Sequence, residues 1–240
     1  MNGEKIAVMV HVYFTDVLIN KLIPKLKPMA EDADFYFNFV RGQETQEALD
    51  IIQNTFKHHT VSYTEQNVGR DVNGQLNNLK SLYSKLKRYD YYLFLHTKKS
   101  VHLKPEFGQA WMDNLTNIIK DKETIENVLH DFRTQPKLGM VCEPKCRVNL
   151  MTINQHNFDV FCKGFGMDPK GDFWFCAGTM FWVRAKIFDT FYSHPQIIPA
   201  IQSLFREENG AIDGEAHHAM ERIYGKQVYS LGYYINIDQK

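Results

Sequence analysis

No run in this chain approaches the roughly twenty consecutive apolar residues that a membrane-crossing helix needs. Neither sign of charge is in excess, since Lys+Arg and Asp+Glu are both 28. The first shortage argues against an integral membrane protein. The second argues against a nucleic-acid binder, which would normally carry a basic surplus, although local cation clusters could still hold a phosphorylated small molecule. Cysteine is scarce: Cys142, Cys146, Cys162 and Cys176 are scattered. Cys142 and Cys146 could supply half of a zinc site, but no second pair at matching spacing follows, so the four read as reduced, partly buried thiols of an intracellular protein. The first residues, MNGEKIAVMVHVYF, lack a secretory-signal arrangement because Glu4 interrupts them and their apolar run is short. Repeats, low-complexity tracts and linkers are also missing. The expectation is a soluble, intracellular protein of one domain, with 44% of its 240 residues hydrophobic and so enough for one large core.

What is present alternates. IAVMVHV (Ile6 to Val12) is a short β-branched run that reads as a buried first strand. Val17, Leu18, Leu22, Ile23 and Leu26 recur at helical spacing and stop near Pro28. DFYFNFV (Asp34 to Val40) reads as a second strand, ETQEALDIIQNTF as a helix with acidic residues in its first turn, and TVSYTEQN as a third strand. Leu76, Leu79, Leu82, Tyr83 and Leu86 form a further helical stripe, and YDYYLFL a buried strand. Helical segments around Trp111 to Ile119 and Ile125 to Phe132 precede the strand LGMVC. The segment from Glu143 to Gly171 loses its period and reads as a long loop, of a kind that is often functional or mobile. FWFCAGTMFWVRAKIF follows as an aromatic strand and DGEAHHAMERIYG as a helix. Strands alternating with helices predict an α/β fold with a mostly parallel sheet flanked by helices, and ligands in such sheets bind beyond the carboxyl ends of the strands.

Three polar islands could carry chemistry. In NVGRD, Asn67 and Gly69 shape a turn into a helix, Arg70 can make a bidentate contact to phosphate, and Asp71 can accept from a ribose or base. Taken alone, the stretch reads first as a helix cap with Asp71 as N-cap. In HTKKS, His96, Thr97, Lys98 and Lys99 follow a buried strand directly; two adjacent lysines usually read as solvated surface, and a backbone held by that strand makes a positioned phosphate clamp more plausible than for an ordinary pair. In DGEAHHAMER, Asp213, Glu215, His217, His218 and Glu221 gather within a few helical turns. His217 and Glu221 share a face, as do His218 and Arg222. The spacing is not that of a zinc protease, and each residue alone reads as part of a polar helix face. A carboxylate at a helix start can nevertheless act as a general base. Among the aromatics, Phe181 reads as core, whereas Trp174 or Trp182 beside Gly178 and Thr179 could offer an apolar platform to a sugar ring.

NVGRDV, YDYYLFLHTKKS, FCAGTMFWVRAKIF and DGEAHHAMERIYG, in this order and at this spacing, resemble the rhamnan synthesis protein F family of bacterial cell-surface polysaccharide glycosyltransferases. The resemblance runs from the first strand to about Gly225. It implies a single GT-A-like, Rossmann-type domain over residues 1–240, with a nucleotide-sugar-binding half over about 1–100 and an acceptor-binding half over about 101–240. His96 and Lys98 then stand where many GT-A enzymes carry an Asp-x-Asp metal motif. No cofactor is therefore favoured: Lys98 and Lys99, with Thr97, His96 and Arg70, are expected to replace the metal at the leaving diphosphate, with Mg²⁺ and Mn²⁺ left open. His11, Asn67, Gly69 and Asp71 complete the expected donor site.

The same resemblance makes Asp213 the expected base of an inverting transfer, with Glu215 second and His218 and Glu221 orienting base or acceptor. Trp174, Gly178, Thr179 and Trp182 are expected on the acceptor side. Implied partners are a dTDP- or UDP-linked sugar, dTDP-rhamnose foremost, and a glycan or lipid-linked glycan acceptor, with no nucleic acid. The implied location is the cytoplasm, at the inner face of the membrane if the acceptor is lipid-linked. The alternative is a noncatalytic nucleotide-sugar or glycan-binding module in a polysaccharide assembly complex.

Overall fold

Ile6–Val12 alternates β-branched residues with small or flexible ones and is buried at every position, which suits a central strand covered on both faces. The computed structural model describes residues 3–85, 87–97, 99, 105–207 and 213–236. Along the chain the elements are β1 (Ile6–Val12), α1 (Thr15–Val17), a π-helical turn (Leu18–Leu22), α2 (Ile23–Leu26), β2 (Asp34–Val40), α3 (Gln46–Thr55), β3 (His58–Thr64), α4 (Arg70–Tyr83) and β4 (Tyr91–His96). The chain continues through α5 (Pro105–Leu115), α6 (Lys122–Thr134), β5 (Leu138–Val141), β6 (Arg147–Val148), α7 (Gln155–Gly164), β7 (Phe175–Cys176), β8 (Phe181–Arg184), α8 (Ala185–Tyr192), α9 (Ile197–Gln202), α10 (Ala216–Ser230) and β9 (Tyr234–Ile235).

Seven strands form one sheet in the order β3-β2-β1-β4-β8-β5-β9, and β6 pairs with β7 in a small second sheet. The first four strands of the main sheet are parallel; β8 runs antiparallel to both β4 and β5. This is the mixed, mostly parallel α/β arrangement that the sequence predicts. Strands from both halves of the chain share the sheet and one continuous hydrophobic core. Phe94, Phe181, Phe188, Tyr192 and Tyr224 pack there as an aromatic group, with neighbouring ring centroids from 5.0 to 6.3 Å apart.

Three local expectations change. The aromatic segment from Phe173 to Phe188 is not one strand. It breaks at Gly178 and Thr179, both with positive φ, into β7 and β8, and then turns into α8. The segment from Glu143 to Gly171 is not a structureless loop, because it holds β6 and α7, and α7 buries Phe158, Phe161 and Cys162 on one face. The N-cap of α4 is Gly69, in the left-handed region, and Asp71 sits in the first turn. Leu86 and Lys98 lie outside the described residues.

The register of the parallel strands places Ser62, Asn38, His11 and His96 side by side across β3, β2, β1 and β4, next to their carboxyl ends. Helix α4 covers this row so closely that a side chain at Gly74 would overlap the imidazole of His11. Alanine favours a helix interior over glycine by about 1 kcal/mol, but overpacking a tight contact costs roughly 1–3 kcal/mol. We expect Gly74→Ala to lower the unfolding midpoint in thermal and urea melts. An unchanged or raised midpoint would show that α4 can back away from the sheet.

Candidate active site

The floor of the site is the buried polar row at the strand ends. His11 Nδ1 lies 3.2 Å from the side-chain oxygen of Asn38, whose amide donates to Ser62 Oγ at 3.1 Å. Thr64 and Asn77 extend the chain of bonds toward α4. Burial lowers the pKa of His11, opposed by the charge of Asp71, so its imidazole stays neutral at physiological pH. Asn67, Asp71 and His96 are its other polar neighbours.

Above this row lies the turn between β7 and β8. The N–H of Gly178 donates to Glu221 Oε1 at 2.6 Å, and the carbonyl of Gly178 lies 2.8 Å from His96 Nε2. The hydroxyl of Thr179 donates to Asp71 Oδ2, and the carbonyl of Thr179 accepts from Gln75 Nε2 at 2.7 Å. His96 Nε2 is also 3.7 Å from Asp71 Oδ2. Two consecutive residues of one turn thus tie α4 and β4 to α10. Thr179 holds φ +51°, a costly conformation for a β-branched residue, and Arg70 at the start of α4 holds φ +48°.

The third part is Asp213, just before α10. Its Oδ1 accepts from Asn154 Nδ2 at 2.5 Å and from the N–H of Gly214 at 3.1 Å. Its Oδ2 accepts from the hydroxyl of Thr152 and from Arg222 at 3.3 Å. Burial pushes its pKa up, but the hydrogen bonds from Thr152 and Asn154 and the charge of Arg222 outweigh that and hold it below the usual carboxylate range. Arg222 is itself only 6% exposed; it also bonds Glu221 Oε2 at 3.3 Å and the carbonyls of His218 and Leu150. Glu215 and His218 form a reciprocal capping box at the start of α10, with His218 Nδ1 3.9 Å from Asp213 Oδ1.

Asp71, His96, Gly178, Thr179, Glu221 and Asp213 therefore belong to one bonded network, joined through Arg222. Other expected residues stand elsewhere. Trp182 is fully buried and donates its indole N–H to the carbonyl of Ile118 at 3.1 Å, so it is core and cannot face a sugar. Gly178 and Thr179 are buried too and act through the bonds of their turn rather than as a platform. Trp174 is the half-exposed aromatic here, with Arg147 stacked 5.0 Å from its ring centroid. The Thr97 hydroxyl is buried and accepts from the N–H groups of Tyr13 and Phe14 at 2.8 and 2.9 Å, which shapes the turn after β1 instead of meeting a phosphate. Lys99 is turned to Asp16 at 2.8 Å and to the ring of Phe14. Lys98, the other half of the expected clamp, lies outside the described residues. Asn67 and Arg70 are exposed beside the buried Gly69.

Sequence reasoning missed Thr152 and Asn154, which sit in the segment without period, and underrated Arg222, whose place four residues after His218 was its signal. Among the described residues, no three His, Cys, Asp or Glu side chains come together in a way that could hold a metal ion.

A sequence model of the family described as rhamnan synthesis protein F matches residues 1–233. The chain belongs to the rhamnan synthesis protein F family. It is also 28% identical over 146 residues to the protein WxcX of Xanthomonas campestris pv. campestris, in strain B100 and in a second strain, which covers 59% of this chain. The chain spans about a fifth of the length of those curated relatives, 20%. Among solved structures, core-mannan synthase A from Aspergillus fumigatus in its Mn/GDP form is similar at a TM-score of 0.32 and 11% identity, over 95% of this chain and 70% of that one. No helix among the described residues is long and apolar enough to cross a membrane.

The buried histidines set a pH dependence. Burial lowers the pKa of His217 to about 4, against 6.5 for an ordinary histidine. Between these values the unfolded chain binds a proton that the folded protein refuses, so stability falls as the pH drops through that window. For His217 the loss is on the order of 2–3 kcal/mol. Urea midpoints measured from pH 7 to 4 should fall steadily, and His217→Gln should flatten the fall. An equal slope in both proteins would place the protonation elsewhere.

Proposed function

We propose that this chain is the catalytic unit of an inverting glycosyltransferase that moves a sugar from a nucleotide-sugar donor to a growing polysaccharide, with Asp213 as base. The observation that carries this reading is the state of Asp213. It is a quarter exposed, it stays ionised at neutral pH, and it is bonded through Arg222 and Glu221 to the turn that touches the carboxyl ends of the parallel strands. Ligands of open α/β sheets bind at that edge, so donor and base meet over one network. The donor sugar we favour is L-rhamnose from dTDP-rhamnose, because the family is described by rhamnan synthesis.

In this reading the acceptor hydroxyl gives its proton to Asp213 while its oxygen attacks the anomeric carbon. The bond from that carbon to the diphosphate oxygen breaks, and the electron pair leaves with the nucleoside diphosphate. Arg70 and the amino end of α4 are assigned to the growing negative charge, with Lys99 once it leaves Asp16 and with Lys98 beside it in sequence. Asp71 is held in place by Thr179 and addresses the nucleoside, and Trp174 borders the acceptor. The acceptor is a glycan, lipid-linked during assembly.

Two measurements test the reading. Thermal unfolding against dTDP, UDP and their sugars, with EDTA and with Mn²⁺, should show stabilisation by a nucleotide. Stabilisation that survives EDTA supports the cation clamp, and stabilisation only with Mn²⁺ replaces it with a metal. Asp213→Asn should keep the fold and lower sugar transfer by roughly 10²–10⁴-fold. Retained turnover removes Asp213 from the chemistry, and no response to any nucleotide would favour a glycan-binding module.

A further inference from the structure

Asp213 Oδ2, the oxygen best placed to take a proton, is already occupied by a hydroxyl of the protein itself. Thr152 donates to it, and Thr152 Oγ in turn accepts from Asn154 Nδ2 at 2.8 Å and from Arg222 at 3.4 Å. That is the bonding pattern of an alcohol about to lose its proton. It gives to a carboxylate while neighbouring donors, one of them cationic, lower its basicity. The carbonyl of Met151 lies 2.7 Å from the same oxygen as a second acceptor, but the charged carboxylate is the stronger claim on the single proton.

Three further features mark this contact as one made to be exchanged. Thr152 is exposed and holds φ +52°, in the left-handed region that β-branched residues avoid. Its apolar neighbours Leu150 and Ile153 are 62% and 73% exposed, so little packing holds the segment down. Asn154, two residues on, is fully buried and bonded to Asp213 and to Gly214, which makes it a fixed pivot. Releasing Thr152 therefore leaves the carboxylate anchored by Asn154, Gly214 and Arg222 while one acceptor position on Oδ2 falls open.

We propose that the Thr152 hydroxyl occupies the subsite of the acceptor alcohol, and that a sugar hydroxyl enters the site by displacing it from Asp213. Leu150 and Ile153 then flank the incoming ring with apolar surface. The inference rests on the reading of Asp213 as base and adds the identity of the group that holds the place of the substrate. It also resolves a tension in that reading: a carboxylate with four donors is a weak proton acceptor, and exchanging the internal alcohol for the substrate spends no additional hydrogen bond. Among the described residues, the charged and titratable groups facing Asp213 are Arg222, His218 and His217, all from α10; the Thr152 segment contributes Thr152 and Asn154, neither of which titrates.

The test uses the whole chain labelled with ¹³C at aspartate carboxyls, with Asp213→Asn to assign the Asp213 signal. Thr152→Ala should move the Asp213 titration midpoint upward relative to wild type, and Thr152→Ser should restore it. Methyl α-L-rhamnopyranoside, a neutral pyranoside alcohol, is then titrated at neutral pH against the same signal. Its apparent Kd should fall roughly two- to tenfold in Thr152→Ala and Thr152→Gly, the range of one net hydrogen bond, and stay at the wild-type value in Thr152→Ser. An unmoved midpoint in Thr152→Ala, weaker probe binding in Thr152→Ala, or a probe that disturbs Asp213 in none of the proteins would overturn the inference. Sugar transfer by Asp213→Asn separates the two ideas: retained transfer with an altered midpoint in Thr152→Ala sinks the base and keeps the subsite, whereas lost transfer with an unmoved midpoint does the reverse.

Discussion

The turn at Gly178 and Thr179 is the constraint on which the rest of the site depends. Four bonds leave it: two from the Gly178 peptide groups, one from the Thr179 hydroxyl and one to the Thr179 carbonyl. They reach β4, α10 and α4, which come from distant parts of the chain. Because both turn residues, His96 and Gln75 are buried, a group left unpaired among them would cost about 1–3 kcal/mol, so the three elements cannot shift independently. Asp71 on α4 and the pair Glu221 and Arg222 on α10 are set relative to one another by two residues of backbone.

The reversal of β8 is what brings that turn to the right edge. Phe181 opposes Phe94 at the carboxyl end of β4, so the loop before β8 arrives where the loops after β1 and β4 begin. A parallel β8 would deliver the same loop to the far edge of the sheet, a strand length away at about 3.3 Å per residue. The sheet gathers loops from both chain directions at one edge, and the polar row Ser62, Asn38, His11 and His96 forms the floor beneath them.

Most of the architecture was legible because its signals are local. IAVMVHV and YLFL could hardly be anything but buried strands, and the stripes of α4 and α6 carry the helical period openly. The reading failed where tertiary partners decide. Nothing in FCAGTMFW says that the turn there needs positive φ at a threonine, and the helical spacing of Phe158, Phe161 and Cys162 in α7 was passed over because polar residues surround it. The candidate site was half legible. Asp213, His96 and Asp71 stood out as polar residues at or beside ends of elements, and Glu221 as part of the polar cluster in the first turns of α10. Thr152 and Asn154 did not, because their role is fixed only by a contact across about sixty residues of chain. Trp182 and Thr97 were misread for the opposite reason: residue types that suit a ligand are here consumed by the protein's own backbone groups.

Arg70, Thr152 and Thr179 are the three residues other than glycine with positive φ among those described, and all three border the same site. Backbone conformations of this kind cost on the order of 1–3 kcal/mol each, against a net stability of about 5–15 kcal/mol for an ordinary domain. A large share of the folding margin is therefore committed to the shape of one small region. Such a protein has little tolerance left over: a modest packing defect anywhere in the aromatic core should first appear in the cell as reduced abundance. In an inactivating screen, substitutions far from Asp213 should consequently be as common as those beside it.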